Sequence, residues 1–208
     1  MNPDKFSVRS SADVARLVRD YPLAWIVSGS ADGPCATLLP VQAIETGGQI
    51  ERLVGHFARS NSHVRALERD PRAIVLCLGP HAYISPSWMA DRTQAPTWNY
   101  ASSQFIVEVK FFDNPADIDA HLRDLVSAME AGREGAWNID DMKERYRSLS
   151  RGVIGFTASV REVRAKFKLG QDERDDVFED IVRGLGRQDE SALLDLMLAF
   201  NEQRPRGA

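Results

Sequence analysis

At 208 residues, 43% apolar and 27% charged, the chain can bury a substantial core, as one domain with excursions or as a core domain with a smaller appended unit. Its formal charge of −4 gives no general attraction for phosphate backbones and weighs against a dedicated DNA-binding protein, although a local basic patch is compatible with it. No apolar run approaches the roughly 20 residues needed to cross a bilayer, and MNPDKFSVRSSADV lacks the apolar region of a signal peptide, so the expected location is the cytoplasm.

SSADVARLVRDYP reads as a short amphipathic helix, capped by Ser10 or Ser11, with Val14, Leu17 and Val18 on one face and Pro22 as its stop. LAWIVSG and CATLLPVQAI, separated by ADGP, read as a hairpin; Gly47-Gly48 is a turn, and QIERLVGHFA supplies a third strand. RSNSHVRALERDP has the form of a helix capped by Asn61 or Ser62 and stopped at Asp70-Pro71, with Val64 and Leu67 facing inward. AIVLCLG is a buried strand, and beyond an aromatic loop SQFIVEVKFFD is a long one.

From residue 114 the pattern turns helical. Asn114 or Asp113 caps a helix carrying Ile118, Leu122, Leu125 and Met129 at helical spacing, and DDMKERYRSLS forms another. RGVIGFTASVREVRAKFKLG returns two β-rich segments, and two final helices are expected to divide near Gly184-Leu185-Gly186. Strands in this order lack the crossover helix that each parallel neighbour would need, so the expected architecture is α+β and mainly β: a small barrel flanked by helices, with a C-terminal helical segment. With no linker or low-complexity tract, residues 1–208 are expected to form a single domain. Its barrel core spans about 20–112 plus 152–170, and its helical excursions span 114–150 and 175–202.

Cys35 and Cys77, far apart in apolar runs, read as buried reduced thiols. GHFARSNSHVRAL places Arg59, Asn61 and Ser62 between a strand and a helix N-terminus, where free N–H groups favour an anion and Arg59 and Arg65 can add charge-assisted bonds. From spacing alone, a plain helix cap at Ser62 with solvated arginines is the favoured reading of the two. His56, His63, His81 and His121 have no zinc-type spacing, and His121 falls on a surface-type helix. No structural metal site is expected, although a lone histidine can bind haem iron. There is no G-x-S-x-G elbow, no G-x-G-x-x-G and no Walker pattern. The segment HAYISPSWMADRTQAPTWNY concentrates Tyr83, Trp88, Trp98 and Tyr100 with Pro86 and Pro96, which keep a loop out of a central sheet. Its flat faces suit a lid on the core, a subunit interface or a planar ring.

GHFARSN, GPHAYISPSW, APTWNY and KFKLGQ occur in an order and spacing that resemble the PaiB-like family, often called FMN-binding negative transcriptional regulators, over essentially the whole chain. The resemblance implies a split β-barrel like that of pyridoxamine-phosphate oxidase, working as a homodimer with its cofactor at the subunit interface. It implies that His56, Arg59 and Asn61 handle the FMN phosphate, that Ser85, Trp88, Thr97 and Trp98 line the ring or the interface, and that Lys166, Lys168 and Gln171 reach the site from the C-terminal region. The chain departs from the family pattern at Gly170, where KLSQ is usual, at Met89, where an aromatic is usual, and in ASSQFIVEV, which has no histidine.

The implied function is that of a flavin-dependent redox protein or transcriptional regulator. One alternative is a haem-dependent enzyme resembling piperazate synthase, which forms a nitrogen–nitrogen bond on N-hydroxyornithine, with haem b held axially by His56 or, second, His81. The other is a cofactor-free regulatory dimer. A basic segment such as REVRAKFK reads first as a solvated strand edge and second as a local basic patch.

Overall fold

The computed structural model describes residues 5–30 and 33–202. Six strands form a closed barrel: β1 (Leu23–Ser28), β2 (Cys35–Thr46), β3 (Gln49–Ala58), β4 (Arg72–Ile84), β5 (Thr97–Phe112) and β6 (Val153–Lys168), in the order β1-β2-β3-β6-β5-β4. The described helices are α1 (Ser11–Asp20), α2 (Ser62–Arg69), α3 (Pro115–Glu130), α4 (Glu144–Ser150), α5 (Asp175–Arg187) and α6 (Ser191–Asn201). The chain groups into two compact units, residues 18–77 with 104–163 and residues 1–17 with 78–103 and 164–208; β4, β5 and β6 each run from one into the other.

In the unit built on 18–77 and 104–163, β1 pairs antiparallel with β2 on one side (Trp25 opposite Leu38) and with β4 on the other (Trp25 opposite Leu76). The β2–β3 turn is Gly47-Gly48 with φ of 59° and 78°, the positive pair that a two-residue hairpin needs to match strand twist. Alternation along the strands buries Ala24, Ile26, Leu53, Phe57, Val75, Phe105, Val107 and Phe156. Gly55 and Gly155 are required by close approach: a Cβ on Gly55 would meet the Phe156 ring at 2.8 Å, and one on Gly155 the Phe112 ring at 2.2 Å. In the other unit, Phe167, Leu169, Val177, Ile181, Leu185, Leu193 and Met197 are buried together with Ala82, Ile84, Met89 and Ala101.

Several boundaries differ from expectation. The aromatic stretch is not one loop, because 81–84 finish β4 and 97–100 begin β5, leaving 85–96 with a 3-10 turn at Pro86–Trp88. Pro86 opens that turn and Pro96 stands just before a strand, positions that need no backbone donor. Residues 153–168 form one continuous strand instead of two segments. The last two helices divide at Asp189, with φ 59°, while Gly184 and Gly186 lie inside α5. On α3 the buried side chains are Ile118 and His121, and Met129 is exposed. Asn61 and Asn114 are the caps of α2 and α3, each accepting from the backbone N–H two residues on.

Cys77 is buried and Cys35 half-buried, and they form no disulfide among the described residues. No described helix is long and apolar enough to cross a membrane.

Candidate cofactor-binding site

In the unit of 18–77 and 104–163, β3 runs out through His56 and Phe57 into the turn that starts α2. Three of the expected residues lie here, with different degrees of freedom. Asn61 is committed on both sides: its Oδ1 accepts from His63 N at 2.9 Å, and its Nδ2 donates to Thr37 Oγ1 at 3.3 Å. Arg59 donates from Nε to the Arg151 carbonyl at 3.1 Å and stands 3.7 Å from Asp113. A cavity of about 350 Å³ opens beside them, lined by Arg59, Ser60, Asn61, Val64, Arg65, Glu68 and Ile154. Its unspent donors among the described residues are Arg65, the Ser60 hydroxyl and the Ser62 N–H at the first position of α2. Two arginines face one glutamate in this lining, which leaves a positive excess at a helix N-terminus.

His56 does not stand alone. Its Nδ1 is 3.0 Å from Nε2 of His121, with the rings edge to face, and Phe112 packs against His121 from β5. The expectation that His121 lies on a surface face fails: it is 6% exposed, because α3 lays Ile118 and His121 on its inward side. Burial lowers both pKa values; His121 falls to about 4 through burial and the neighbouring His56, against a small opposing pull from Asp124. Two neutral rings therefore share one N–H between His56 Nδ1 and His121 Nε2. His63 is buried as well, between Ser28 and Thr37.

Farther along, Asp119 accepts from Tyr146 and Arg123, and Arg123 also reaches Asp140, around a cavity of about 450 Å³. These charges satisfy one another. No group of three or more His, Cys, Asp or Glu among the described residues could hold a metal ion.

In the other unit the expected residues separate into packed and open sets. Trp88 lies flat over α5: a Cβ on Gly184 would sit 2.3 Å from its ring. Asp180 of α5 accepts from Ala90 N at 2.8 Å and pairs with Arg183, while Arg174 pairs with Asp91. Ser85 caps its own turn at Ser87 N, and Gln171 bonds Leu169 N and the Phe167 carbonyl, so both have local structural duties. Met89, where an aromatic is usual, is buried, and its N–H donates to the Pro86 carbonyl. Gly170, with φ 78° and the Phe178 ring and Met197 close by, is a backbone requirement that serine would strain.

The open set is Trp98, 53% exposed, with His81 at 6.3 Å and Tyr83 at 6.0 Å between ring centroids. Thr97 carries the Lys168 ammonium, and Lys166 lies over the Phe6 ring. In REVRAKFK, Arg161 is paired with Glu108, so that segment is not a row of unpaired cations. On the buried face of β5, Asn99 Oδ1 and Ser103 Oγ have no hydrogen-bond partner among the described residues.

Of the expected residues, then, Arg59 and Asn61 share the cavity lining in one unit, with His56 just before them on β3, while in the other unit Lys168 meets Thr97 and Trp98 stands with His81 and Tyr83. Ser85, Trp88 and Gln171 serve packing and turns. The partnership of His56 with His121, 65 positions away, carried no local signal.

Comparison with known proteins agrees with this architecture. The chain is 25% identical over 188 residues to the Bacillus subtilis protein named protease synthase and sporulation protein PAI 2, covering 90% of this chain and 89% of that one. Among solved structures, it resembles the FAD and heme binding protein from Mycobacterium smegmatis (TM-score 0.61, 17% identity, 85% of this chain and 79% of that one). It also resembles the flavocytochrome Anf3 from Azotobacter vinelandii (TM-score 0.57, 16% identity, 79% and 74%). The family model described as "Putative FMN-binding domain" matches residues 1–162, and the chain belongs to that family.

Proposed function

We propose that the chain is a homodimeric FMN-binding protein whose cofactor phosphate is held at the cavity beside α2, and that it works as a flavin-dependent redox protein or regulator. The observation that carries this reading is the donor set of that cavity: Arg65, Ser60 and the Ser62 N–H are unspent beside Arg59 at a helix N-terminus. These are the groups a phosphate dianion needs, and no acidic cluster opposes them. Arg59 would turn toward the anion at little cost, since its contact with Asp113 is long and exposed. Asn61 would hold the helix end in place instead of touching the phosphate, because both ends of its amide are occupied.

The other unit has an aromatic surface of its own. Trp98, with His81 and Tyr83, offers an open aromatic face suited to a flat conjugated system. When bound, FMN would supply the redox chemistry, and the chain's residues would position it and tune its surroundings.

The partner is proposed to be a second copy of the chain. The outer face of β2-β1-β4 is apolar where a solvated sheet would be polar: Leu23, Trp25, Leu38 and Ile74 are exposed, and Trp25, at 48%, lies between Leu38 and Leu76 in register. With the face apolar at these positions, and with a homodimer implied by the family likeness, self-association is the reading this face favours. Trp25→Glu is expected to convert a dimer into a monomer in light scattering; a monomeric wild type would remove this part of the proposal.

Haem is the second reading, and His56 favours it: an imidazole whose Nδ1 is tied to another residue and whose Nε2 is left over is built like an axial ligand. The absorption spectrum of the purified or reconstituted protein decides between the two. A two-band flavin spectrum supports FMN and an intense Soret band supports haem. A protein that stays colourless with both leaves the cofactor-free dimer.

A further inference from the structure

From Asn61, in the lining of the cavity beside α2, runs a largely part-buried chain of hydrogen bonds whose directions follow from donor and acceptor chemistry. Asn61 Nδ2 can only donate, and it meets Thr37 Oγ1 at 3.3 Å. Thr37 Oγ1 lies 2.9 Å from His63 Nδ1, and His63 Nε2 lies 2.9 Å from Ser28 Oγ. Ser28 in turn donates to the Gly29 carbonyl at 3.4 Å. One arrangement uses every contact: Asn61 N–H to Thr37 oxygen, Thr37 O–H to His63 Nδ1, His63 Nε2–H to Ser28 oxygen, and Ser28 O–H to Gly29. In the opposite tautomer, His63 Nδ1–H and Asn61 N–H would both point at Thr37, whose own proton would then need another acceptor. Bonds running in one direction also polarise one another, which strengthens the whole chain in a buried setting.

We propose that His63, in its Nε2–H tautomer, is the positioning residue of the anion cavity: through Thr37 it fixes the Asn61 amide, and so the first turn of α2 that offers donors to a phosphate. The proposal rests on the FMN reading for its ligand, though not for its geometry. The ring is well placed for the task, being 2% exposed and packed edge-on against Phe57 at 5.6 Å. Burial also lowers its pKa, which keeps it neutral with one nitrogen free to accept. With Asn61 pointing Oδ1 at His63 N and Nδ2 at Thr37, the amide cannot flip without losing both bonds.

The test compares FMN with riboflavin, which has the ring and lacks the phosphate, so the ratio of their affinities isolates the anion site. Thr37→Val, of nearly the same shape, and His63→Phe break the chain; His63→Asn keeps an acceptor toward Thr37. Both breaking variants are expected to lose about tenfold of the FMN preference, the equivalent of one net hydrogen bond, with riboflavin affinity unchanged, and His63→Asn to recover most of it. Imidazole 15N spectra of the wild type should show His63 as the Nε2–H tautomer, and the Asn61 side-chain amide should exchange slowly and lose that protection in Thr37→Val.

An Nδ1–H tautomer, or an Asn61 amide indifferent to Thr37→Val, overturns the inference whether or not FMN binds. So does an unaltered FMN preference in folded Thr37→Val. A wild type that does not prefer FMN over riboflavin instead sinks the phosphate reading, while the tautomer and the amide protection still decide the geometry. Melting curves identify any variant that has failed to fold, and Thr37→Val keeps the test available if His63→Phe does.

Discussion

The β3–α2 end and the 85–96 loop each drew expectations of cofactor contact, and they differ in how their side chains are spent. At the β3–α2 end, His63, Thr37 and Asn61 are consumed in internal bonds while Arg65 and Ser60 remain available. In the loop, Trp88, expected with Trp98 to line the ring or the interface, is consumed by packing on Gly184, and the open ring is Trp98, on β5 just beyond the loop. A motif residue can therefore be indispensable without touching a ligand, and the test of contact is which donors and faces are left over.

The largest effect expected from breaking this contrast is on the loop. Gly184→Val should cost about 1–3 kcal/mol by overpacking against Trp88, read in denaturant unfolding, and Trp88→Ala should largely relieve that cost. If the two effects simply add, Trp88 does not pack there. Asp180→Ala should lower the melting temperature by a smaller amount, since it removes the acceptor for Ala90 N and the partner of Arg183.

At the other region the expected effect is on binding. Arg65→Ala should weaken FMN by roughly tenfold or more, the worth of a charge-assisted bond, and leave both riboflavin affinity and unfolding unchanged. Equal losses for the two flavins would place Arg65 near the ring instead.

A gentler probe is pH. His56, His63 and His121 are all held below the ordinary value of 6.5 by burial. The unfolded chain therefore takes up protons first as pH falls; the stability tied to these rings is complete above 6.5 and drains away toward about 4, where His121 titrates. Melting temperature measured across this window should fall, and His121→Gln should flatten the slope. An identical acid limb in that variant would mean that His121 is not buried beside His56. The smallest effect belongs to Trp98→Ala: an exposed ring should change stability by no more than about 0.5 kcal/mol, while flavin fluorescence quenching, if Trp98 faces the ring, should diminish.

Much of the fold was legible because its signals are local. Gly47-Gly48 set a two-residue turn, alternating apolar residues set the strand faces, and Asn61 and Asn114 set two helix starts. The errors arose where a local signal had a distant explanation. Gly184 resembled a helix break because glycine is a poor helix former, yet it stays helical because Trp88 occupies the space of its missing side chain. His121 looked solvated among charged neighbours, and only the packing of α3 turned it inward to His56.

By itself the sequence determined the mainly-β architecture, the family motifs and the segments from which a site would be built, since periodicity, turn chemistry and motif spacing are properties of neighbouring residues. Tertiary structure alone decided which motif residues are spent and which are free. Hydrogen bonds such as those from Thr37 to His63 and Asn61, or the bond between His56 and His121, join positions whose spacing in the chain carries no trace of their contact.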